Sequence, residues 1–315
     1  MLTPPVPDSA AELDVVYTWV DGSRPFYHEH LLRYSATASE LNPERFRDPA
    51  QLLRHSLRSL ERFFPSFGRL FIVTARPQIP TWLNLTHPRL KVVHHDEFFD
   101  DPTALPTFNS NVIESFIHLL PGISERFLYF NDDYFLGAPI TAADFIAPDG
   151  RLRVFGSFCG EYFRSRTHEQ LRITFSALEH GPLLIDRTAF AAALAAAPGE
   201  LAELRRHRFR QPDDLRPDRL YRWHLLRRDR GHAVAEPFWR YLRYARFLKL
   251  VDRPAALARR LGRLRAAQPK FFCLNDDLGP RPSEAALTTL KDFLSTYFPE
   301  PSSFELPRAP SPSSA

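Results

Sequence analysis

Cysteine, long apolar runs and lysine are all scarce in this sequence. The two cysteines, Cys159 and Cys273, lie far apart and in no ligand-like spacing, which argues against a disulfide scaffold and a cysteine zinc site. No apolar run reaches the length of about 18 residues that a membrane-spanning helix needs. Residues 1–8 lack the basic and apolar segments of a secretory signal, so we expect a cytoplasmic protein with reduced thiols.

Several common catalytic motifs are also absent. The sequence contains no GxGxxG, P-loop, GxSxG or HExxH motif. It therefore does not predict a standard dinucleotide-binding protein, NTPase, serine hydrolase or metalloprotease. The composition, with 44% hydrophobic and 25% charged residues among 315, is that of an ordinary folded protein.

Basic residues are concentrated in one stretch of the chain. Residues 205–265 hold 18 arginines and one lysine against six acids, a formal charge of +13, so the rest of the chain sums to −9 within a total of +4. This asymmetry favours an anionic partner such as a nucleotide, a phosphorylated glycan or a membrane surface. Only four of the 41 basic residues are lysines, so an arginine bias of genome composition explains the excess equally well.

Apolar runs alternate with segments of helical spacing in the first half of the chain. This alternation is typical of an α/β fold with a mainly parallel sheet flanked by helices. The predicted strands are Leu13–Val20, Leu70–Thr74, Leu90–His94 and Arg126–Phe130. The predicted helices are one capped by Asp48 and ended by Pro65, with Gln51 completing a capping box, and another over Asn111–Leu120.

Composition divides the chain into four predicted parts. Residues 1–12 form a disordered N-terminus, 13–150 an α/β core, 151–298 a second part with an Arg-rich, mainly helical stretch, and 299–315 a disordered Pro/Ser tail. In the second part we expect a short strand over Leu152–Phe158 and helices over Leu184–Ala197 and Ser283–Tyr297.

Acidic residues follow two of the predicted strands at the point where each strand ends. Asp21 follows the first strand, and Asp132 and Asp133 follow the fourth. Ligands of open α/β sheets gather at the carboxyl ends of strands, and paired carboxylates suit Mg²⁺. A capped turn is the alternative interpretation, because Asn and Asp are common where strands stop. A second Asn-Asp-Asp tripeptide, 275–277, also follows an apolar run.

One histidine is a candidate general base. His180 lies in a Glu-His-Gly-Pro turn just before a predicted helix. A histidine in such a turn suits proton transfer, and it is equally compatible with an exposed loop.

Together these segments resemble the four signature regions of the Stealth phosphotransferases. This family includes bacterial capsule and exopolysaccharide sugar-phosphate transferases and the catalytic subunit of the lysosomal-enzyme N-acetylglucosamine-1-phosphotransferase. The first region resembles DVVYTWVDG, and the second runs from about Phe46 through LRHSLRSLERFFP to RFLYFNDDYFLG. The third resembles HGP at 180–182 with FRQPDD at 209–214, and the fourth resembles KFFCLNDD at 270–277.

The resemblance implies a reaction and a set of residues. It implies a Rossmann-like, nucleotide-sugar-transferase-like core over 13–150 that binds a nucleotide-sugar donor, a second part that completes the active site, and Mg²⁺ or Mn²⁺ as cofactor. A hexose 1-phosphate, with a UDP-N-acetylhexosamine as expected donor, would pass to a polysaccharide acceptor in capsule or exopolysaccharide synthesis. The implied catalytic residues are Asp132, Asp133, His180 and Arg210, and the implied metal ligands are Asp132, Asp133 and Asp276. The implied substrate-binding residues are Asp21, Gly22, Asn109, Asn131, Asp214 and Asn275.

Two other functions fit parts of the sequence. A metal-dependent glycosyltransferase would use the same donor class and a similar carboxylate site. A non-catalytic glycan- or polyanion-binding protein would use the Arg-rich stretch, although it would gain nothing from acids at strand ends. Peripheral association with the inner membrane face or a capsule-assembly complex stays open, and no nucleic acid is expected because no recognised binding motif is present.

Overall fold

The computed structural model describes residues 12–35, 48–157, 161–163, 171–173, 176–177, 180–227, 229, 231–279 and 281–307. Its strands are β1 (Asp14–Thr18), β2 (Leu70–Thr74), β3 (Leu90–His94), β4 (Arg126–Asn131), β5 (Tyr134–Leu136), β6 (Leu152–Ser157), β7 (Glu161–Phe163), β8 (Leu171–Ile173), β9 (Ser176–Ala177), β10 (Leu183–Asp186), β11 (Ala233–Glu236), β12 (Ala245–Lys249) and β13 (Phe271–Asn275). Its helices are α1 (Pro25–Tyr34), α2 (Leu52–Phe63), α3 (Ser110–Phe116), α4 (Arg187–Ala195), α5 (Pro198–Arg206), α6 (Pro217–Arg227), α7 (Phe238–Tyr244), α8 (Pro254–Ala267) and α9 (Glu284–Tyr297). Among these described helices, none is both long and apolar enough to cross a bilayer.

Five of the described strands form the central sheet, in the order β10-β4-β1-β2-β3. β4, β1, β2 and β3 are mutually parallel, and β10 runs antiparallel to β4. Val15, Val16 and Tyr17 of β1 are fully buried between neighbours, which explains why this strand reads as a nearly continuous apolar run. The predicted α/β fold with a mainly parallel sheet is confirmed.

The elements predicted in the first half of the chain are present, and both predicted helices differ in extent; α1 and β5 are additional elements that the sequence pattern does not predict. The predicted helix over 111–120 is α3 followed by a 3₁₀ turn, Ile117–Leu119. The helix predicted from Asp48 begins only at Leu52, because Gln51 takes a left-handed φ of 53°. Asp48 still serves this helix, since its carboxylate accepts a hydrogen bond from the Leu52 N–H at 2.6 Å. The predicted capping box with Gln51 is therefore wrong.

The predicted helix Leu184–Ala197 is wrong in its first part. Leu183–Asp186 is β10, the antiparallel edge of the central sheet, and the helix proper is α4. Asp186 ends the strand and caps the helix by accepting a hydrogen bond from the Ala189 N–H at 3.1 Å. The alanine-rich sequence after Asp186 predicts a helix so strongly that the short apolar segment before it is included in the predicted helix rather than recognised as a strand. The predicted helix over 283–297 is confirmed as α9, with Ser283 as its N-cap.

A smaller sheet joins the two predicted parts of the chain. Its order is β12-β13-β5, with β12 parallel and β5 antiparallel to β13. Phe135, Phe272 and Leu274 cover one face and share a core with α8 and α9. The Arg-rich stretch thus contributes strands β11 and β12 as well as helices. Because β10 and β13 both complete structures begun before residue 150, the predicted boundary does not separate two cores.

The predicted disordered tail is wrong as far as residue 307. Phe304 is fully buried and packs on Phe67, with ring centroids 5.9 Å apart. The Glu305 carboxylate accepts hydrogen bonds from Arg54 Nε and Arg58 Nε at 2.5 and 2.6 Å. One aromatic and one acid therefore hold a segment whose Pro and Ser content predicted disorder. Residues 308–315 and 1–11 lie outside the described residues.

Candidate active site

Asp132 and Asp133, here called the acidic turn, connect β4 of the central sheet to β5 of the smaller sheet. The Asp133 carbonyl accepts a hydrogen bond from the Leu274 N–H at 3.0 Å. The Cys273 thiol donates to Asp133 Oδ2 at 3.2 Å, and the Asn275 side chain also stabilises that carboxylate. The acidic turn therefore lies where the carboxyl ends of β4 and β13 meet.

Two more carboxylates act on this turn, and a third acts on one of those two. β1 is parallel to β4 and adjacent to it, so the segment after β1 reaches the same edge of the sheet. Asp48 lies close enough to raise the pKa of Asp132, and Asp21 acts in the same way on Asp48. Asp276 acts likewise on Asp133. The structure thus brings together acids from the ends of three strands and from the start of α2.

Burial and crowding make these carboxyl groups costly to ionise. Burial, and then the charge of Asp133, hold the pKa of Asp132 well above its usual range. Burial also raises the pKa of Asp133 to about 6, against the hydrogen bond from Cys273 that lowers it. Burial raises the pKa of Asp48 to about 6. Each side chain is densely surrounded yet keeps partial access to solvent. The mutual repulsion of these carboxylates is relieved when some of them are protonated or when a cation binds.

The acidic turn has the right chemistry for a hard cation but is not a complete cage. Carboxylate oxygens are the ligands that Mg²⁺ and Mn²⁺ prefer. Across the described ranges, no three Asp, Glu, His or Cys side chains are already arranged to hold a metal ion. Mg²⁺ is commonly held by only one or two carboxylates, with substrate phosphates and water completing its shell. Asp132 and Asp133 could supply those one or two carboxylates. The cation itself stays a prediction.

A polar network connects the acidic turn to α3. The Tyr129 hydroxyl lies 2.8 Å from Asn131 Oδ1, 3.1 Å from Thr18 Oγ1 and 3.3 Å from Glu114 Oε1. Asn131 Nδ2 donates to the Tyr134 hydroxyl at 3.2 Å. Burial raises the pKa of Glu114 to about 7. Asn131 is held from both sides, so it fixes the course of the backbone into the turn.

The loop 207–214 carries Arg210 and is fastened to the start of α3. The Asp214 carboxylate accepts hydrogen bonds from Asn109 Nδ2 at 2.7 Å and from the Gln211 N–H at 2.9 Å. It also lies 2.6 Å from His207 Nδ1. Asn109 is fully buried and caps α3, and the Asp214 side chain is only 1% exposed. These two predicted substrate contacts are thus engaged with each other and hold the Arg210 loop.

Arg210 itself lies beside the polar network. Its guanidinium donates to Ser110 Oγ, and its positive charge, like that of Arg216, acts on Glu114. Glu114 contacts Tyr129, which in turn contacts Asn131 next to the acidic turn. Arg210 therefore flanks the turn from the α3 side, where a cation can meet an anionic ligand.

His180 approaches from the other side, over the smaller sheet. Its ring packs on Phe247 of β12, with centroids 4.5 Å apart. Phe247 pairs with Cys273 of β13, so both side chains point to the same face of the sheet. Because Cys273 contacts Asp133 on that face, His180 and the acidic turn share it.

Asp21 and Gly22, two of the predicted substrate-binding residues, lie in the turn after β1. The Asp21 carboxylate accepts hydrogen bonds from the Ser23 N–H at 3.0 Å and from Arg24 Nε at 3.2 Å. Its backbone N–H donates to Gln78 Oε1 at 2.9 Å, and Gly22 is buried. These contacts hold the turn and leave Asp21 near Asp48, at the edge of the group of carboxylates.

Three residues that contribute to this site are not evident from the sequence. The sequence predicts Asp48 only as a helix cap, because it is far along the chain from the acids that it lies near in the fold. Glu114 gave no signal because it is one polar residue in an amphipathic helix, and Cys273 gave none because it is a buried strand residue. Only the pairing of β5 with β13 and of β4 with β1 brings these side chains together.

The fold and the site define a class, an α/β protein with carboxylates crowded where the parallel strands end. Sequence models of two Stealth regions match this chain, "Stealth protein CR2, conserved region 2" over residues 45–154 and "Stealth protein CR4, conserved region 4" over 262–313. The chain belongs to the Stealth family, which confirms the resemblance read from its motifs.

Curated relatives match nearly the whole chain. It is 38% identical to exopolysaccharide phosphotransferase SCO6023 of Streptomyces coelicolor, over 93% of this chain and 52% of that protein. It is 30% identical to exopolysaccharide phosphotransferase CpsY of Mycobacterium tuberculosis, over 97% of this chain and 60% of that protein. The chain thus spans little more than half the length of these relatives.

Two of the solved structures with a similar overall course are glycosyltransferases. Galactosyltransferase LgtC gives a TM-score of 0.44 at 12% identity, over 90% of this chain and 96% of that one. GlyE of Streptococcus pneumoniae gives 0.43 at 11% identity, over 95% of this chain and 66% of that one. Similarity at this level supports no argument about function.

Proposed function

We propose that this protein transfers a hexose 1-phosphate from a nucleotide diphosphosugar to a glycan hydroxyl, forming a phosphodiester. The observation that carries the proposal is the group of crowded carboxylates around Asp132 and Asp133, flanked by Arg210 on one side and His180 on the other. Phosphoryl transfer needs charge neutralisation, positioning and a proton acceptor, and these residues offer all three. The names of the curated relatives as exopolysaccharide phosphotransferases support the same reaction.

The donor would be held through its diphosphate. Arg210 offers a planar pair of donors that matches phosphate oxygens, and loop 207–214 holds it in place. Asp132 and Asp133, with Asp276 nearby, would hold Mg²⁺ or Mn²⁺, which neutralises charge on the diphosphate when bound. Asn131, Asn275 and Asp21 would shape the pocket around these groups.

The transfer step requires one bond to form and one to break. His180 would take the proton of the acceptor hydroxyl, whose oxygen then forms a bond to the β-phosphorus. The bond from that phosphorus to the bridging oxygen breaks, and a nucleoside monophosphate leaves with the electron pair. The C1–O bond of the sugar is never broken, so its anomeric configuration is retained.

The substrates follow the same proposal. We expect a UDP-N-acetylhexosamine as donor and a capsular or exopolysaccharide chain as acceptor, with the reaction taking place in the cytoplasm or at the inner membrane face. A metal-dependent glycosyltransferase would use a similar carboxylate group but would attack the sugar carbon and release a nucleoside diphosphate.

The released nucleotide tests the proposal. Purified protein would be incubated with a panel of nucleotide sugars, Mg²⁺ and short oligosaccharides, and the products separated by ion-exchange chromatography. Monophosphate release that disappears in Asp133→Asn and persists in Asp149→Asn, an exposed acid paired with Arg151, supports the proposal. Release of diphosphate instead would identify a glycosyltransferase.

A further inference from the structure

Beside His180 lies an exposed aromatic side chain that the proposed mechanism does not use. Phe247 is 47% exposed although it lies in β12, a strand of the smaller sheet. Two neighbours on the same face, Ala245 of β12 and Cys273 of β13, are buried. The Phe247 ring packs against His180 and still leaves a large surface open to solvent.

The strand pairing fixes where this ring lies relative to the acidic turn. Phe247 is opposite Cys273, and adjacent strands are about 4.8 Å apart. Cys273 contacts the Asp133 carboxylate, whereas Phe247 contacts the His180 imidazole. The proposed base therefore lies against Phe247, one strand away from the residue that contacts the proposed phosphate site.

We propose that the exposed face of Phe247 is the subsite for the acceptor sugar. This proposal rests on the proposed function, because it takes His180 as the base that must reach the acceptor hydroxyl. A hydroxyl placed between His180 and the phosphorus brings its own sugar ring over Phe247. Packing the apolar face of a sugar ring on an aromatic ring removes apolar surface from water.

The rim of this surface is polar. Lys249 is opposite Asn275 in the ladder and points to the same face as Phe247, two residues away. Its ammonium lies 2.9 Å from Asp277 Oδ2, and both side chains are more than half exposed. An apolar platform bordered by a charged donor and acceptor suits a glycan, whose hydroxyls surround an apolar ring face.

Glycan binding without turnover tests this subsite. Saturation-transfer NMR would be recorded on the full chain with a panel of short neutral oligosaccharides that includes N-acetylhexosamine di- to tetrasaccharides. We expect at least one to bind, with affinity lowered about tenfold in Phe247→Ala, the scale of losing one aromatic contact. Phe247→Tyr, which keeps the ring, and Leu85→Ala, which removes an exposed apolar side chain elsewhere, should bind as the wild type does.

Two readouts separate this proposal from the proposed function. Equal glycan affinity in Phe247→Ala, or no binding of any panel glycan to the wild type, would overturn the subsite. The proposed function fails instead if no donor yields a monophosphate, which the binding measurement does not involve. For an active enzyme, the acceptor KM should rise in Phe247→Ala while the donor KM stays as in the wild type. A fall in kcat at an unchanged acceptor KM would mean that Phe247 only positions His180, which also overturns the subsite.

Discussion

At Asp133, burial and hydrogen bonding act in opposite directions on the pKa of a single side chain. Burial raises its pKa to about 6, although the Cys273 thiol and the Asn275 side chain favour the carboxylate. Asp132 experiences burial and the charge of its neighbour, and its pKa is raised further. A pair held in this way stays partly protonated near neutral pH unless a cation replaces the protons.

Removing either charge of the acidic turn should therefore abolish most activity. We expect Asp132→Asn or Asp133→Asn to lower kcat by roughly 10²-fold or more, the scale of losing a main electrostatic stabiliser. Activity should also disappear in excess chelator and return with Mg²⁺ or Mn²⁺. Steady-state kinetics, with Asp149→Asn as control, measure both effects. Full turnover in excess chelator would show that the reaction needs no metal ion.

His180 and Arg210 should fail in different ways. We expect His180→Ala to lower kcat by about 10²-fold or more with little change in donor affinity, because a base acts in the transition state. Arg210→Ala should weaken donor binding as well as turnover, because its charge meets the diphosphate in both states. Calorimetry with the nucleotide sugar separates the two. If His180→Ala abolished donor binding while Arg210→Ala left it unchanged, the two roles would be wrong.

The acids at the strand ends could be predicted from the sequence, because a local apolar run predicts both a strand and the position where it ends. Asp21, Asp132 and Asp276 all follow apolar runs, and the structure places them in one acidic group. Asp48 was not visible in this role, since only the fold brings the start of α2 to the end of β4. The engagement of Asn109 with Asp214, 105 residues later, also depends on tertiary structure alone.

Among the larger elements, loop 207–214 depends on one buried carboxylate. Asp214 accepts hydrogen bonds from Asn109 and Gln211 and lies 2.6 Å from His207 Nδ1. Asp214→Asn should loosen the loop and so raise the donor KM in the same direction as Arg210→Ala, without removing a group that touches substrate. Glu203→Gln, which alters the other contact of His207, serves as the control. A wild-type donor KM in Asp214→Asn would show that the loop does not position Arg210.

Glu305, together with the buried Phe304, holds the segment 301–306. Burial would raise the pKa of this carboxyl, but hydrogen bonds from Arg58, the Ser302 N–H and Arg54 outweigh it and lower the pKa to about 2. A depressed pKa stabilises the fold above the unfolded value, about 4.3 for Glu, and the gain disappears as pH falls towards 2. The contribution is roughly 3 kcal/mol at neutral pH.

Acid titration of stability checks this element. Glu305→Gln should lower the free energy of unfolding at pH 7 by about 3 kcal/mol, because Arg58 stays buried without its partner. The difference from wild type should shrink between about pH 4 and pH 2. Urea unfolding at several pH values measures it, with exposed Glu300→Gln as the control. A difference that stayed constant with pH would show that Glu305 is not charged in the folded protein.

For the whole molecule, the α/β class was predictable and the division into parts was not. Apolar runs such as Leu70–Thr74 identify buried parallel strands without any knowledge of their neighbours. The antiparallel additions of β10 to β4 and of β5 to β13 join distant segments, and no local pattern encodes that pairing. The site lies at the junction of the two sheets, and that junction depends on these pairings. The sequence therefore predicts only some of the residues that form the site.

The fate of the β-phosphate shows whether this protein transfers a sugar 1-phosphate or a sugar. Donor labelled on the β-phosphorus would be incubated with the full chain, Mg²⁺ and a capsular-type oligosaccharide, and the glycan and nucleotide fractions counted separately. We expect label in the glycan, unlabelled nucleoside monophosphate as by-product, and loss of both in Asp133→Asn. Label retained on a released nucleoside diphosphate, with an unlabelled glycan product, would rule out transfer of a sugar 1-phosphate.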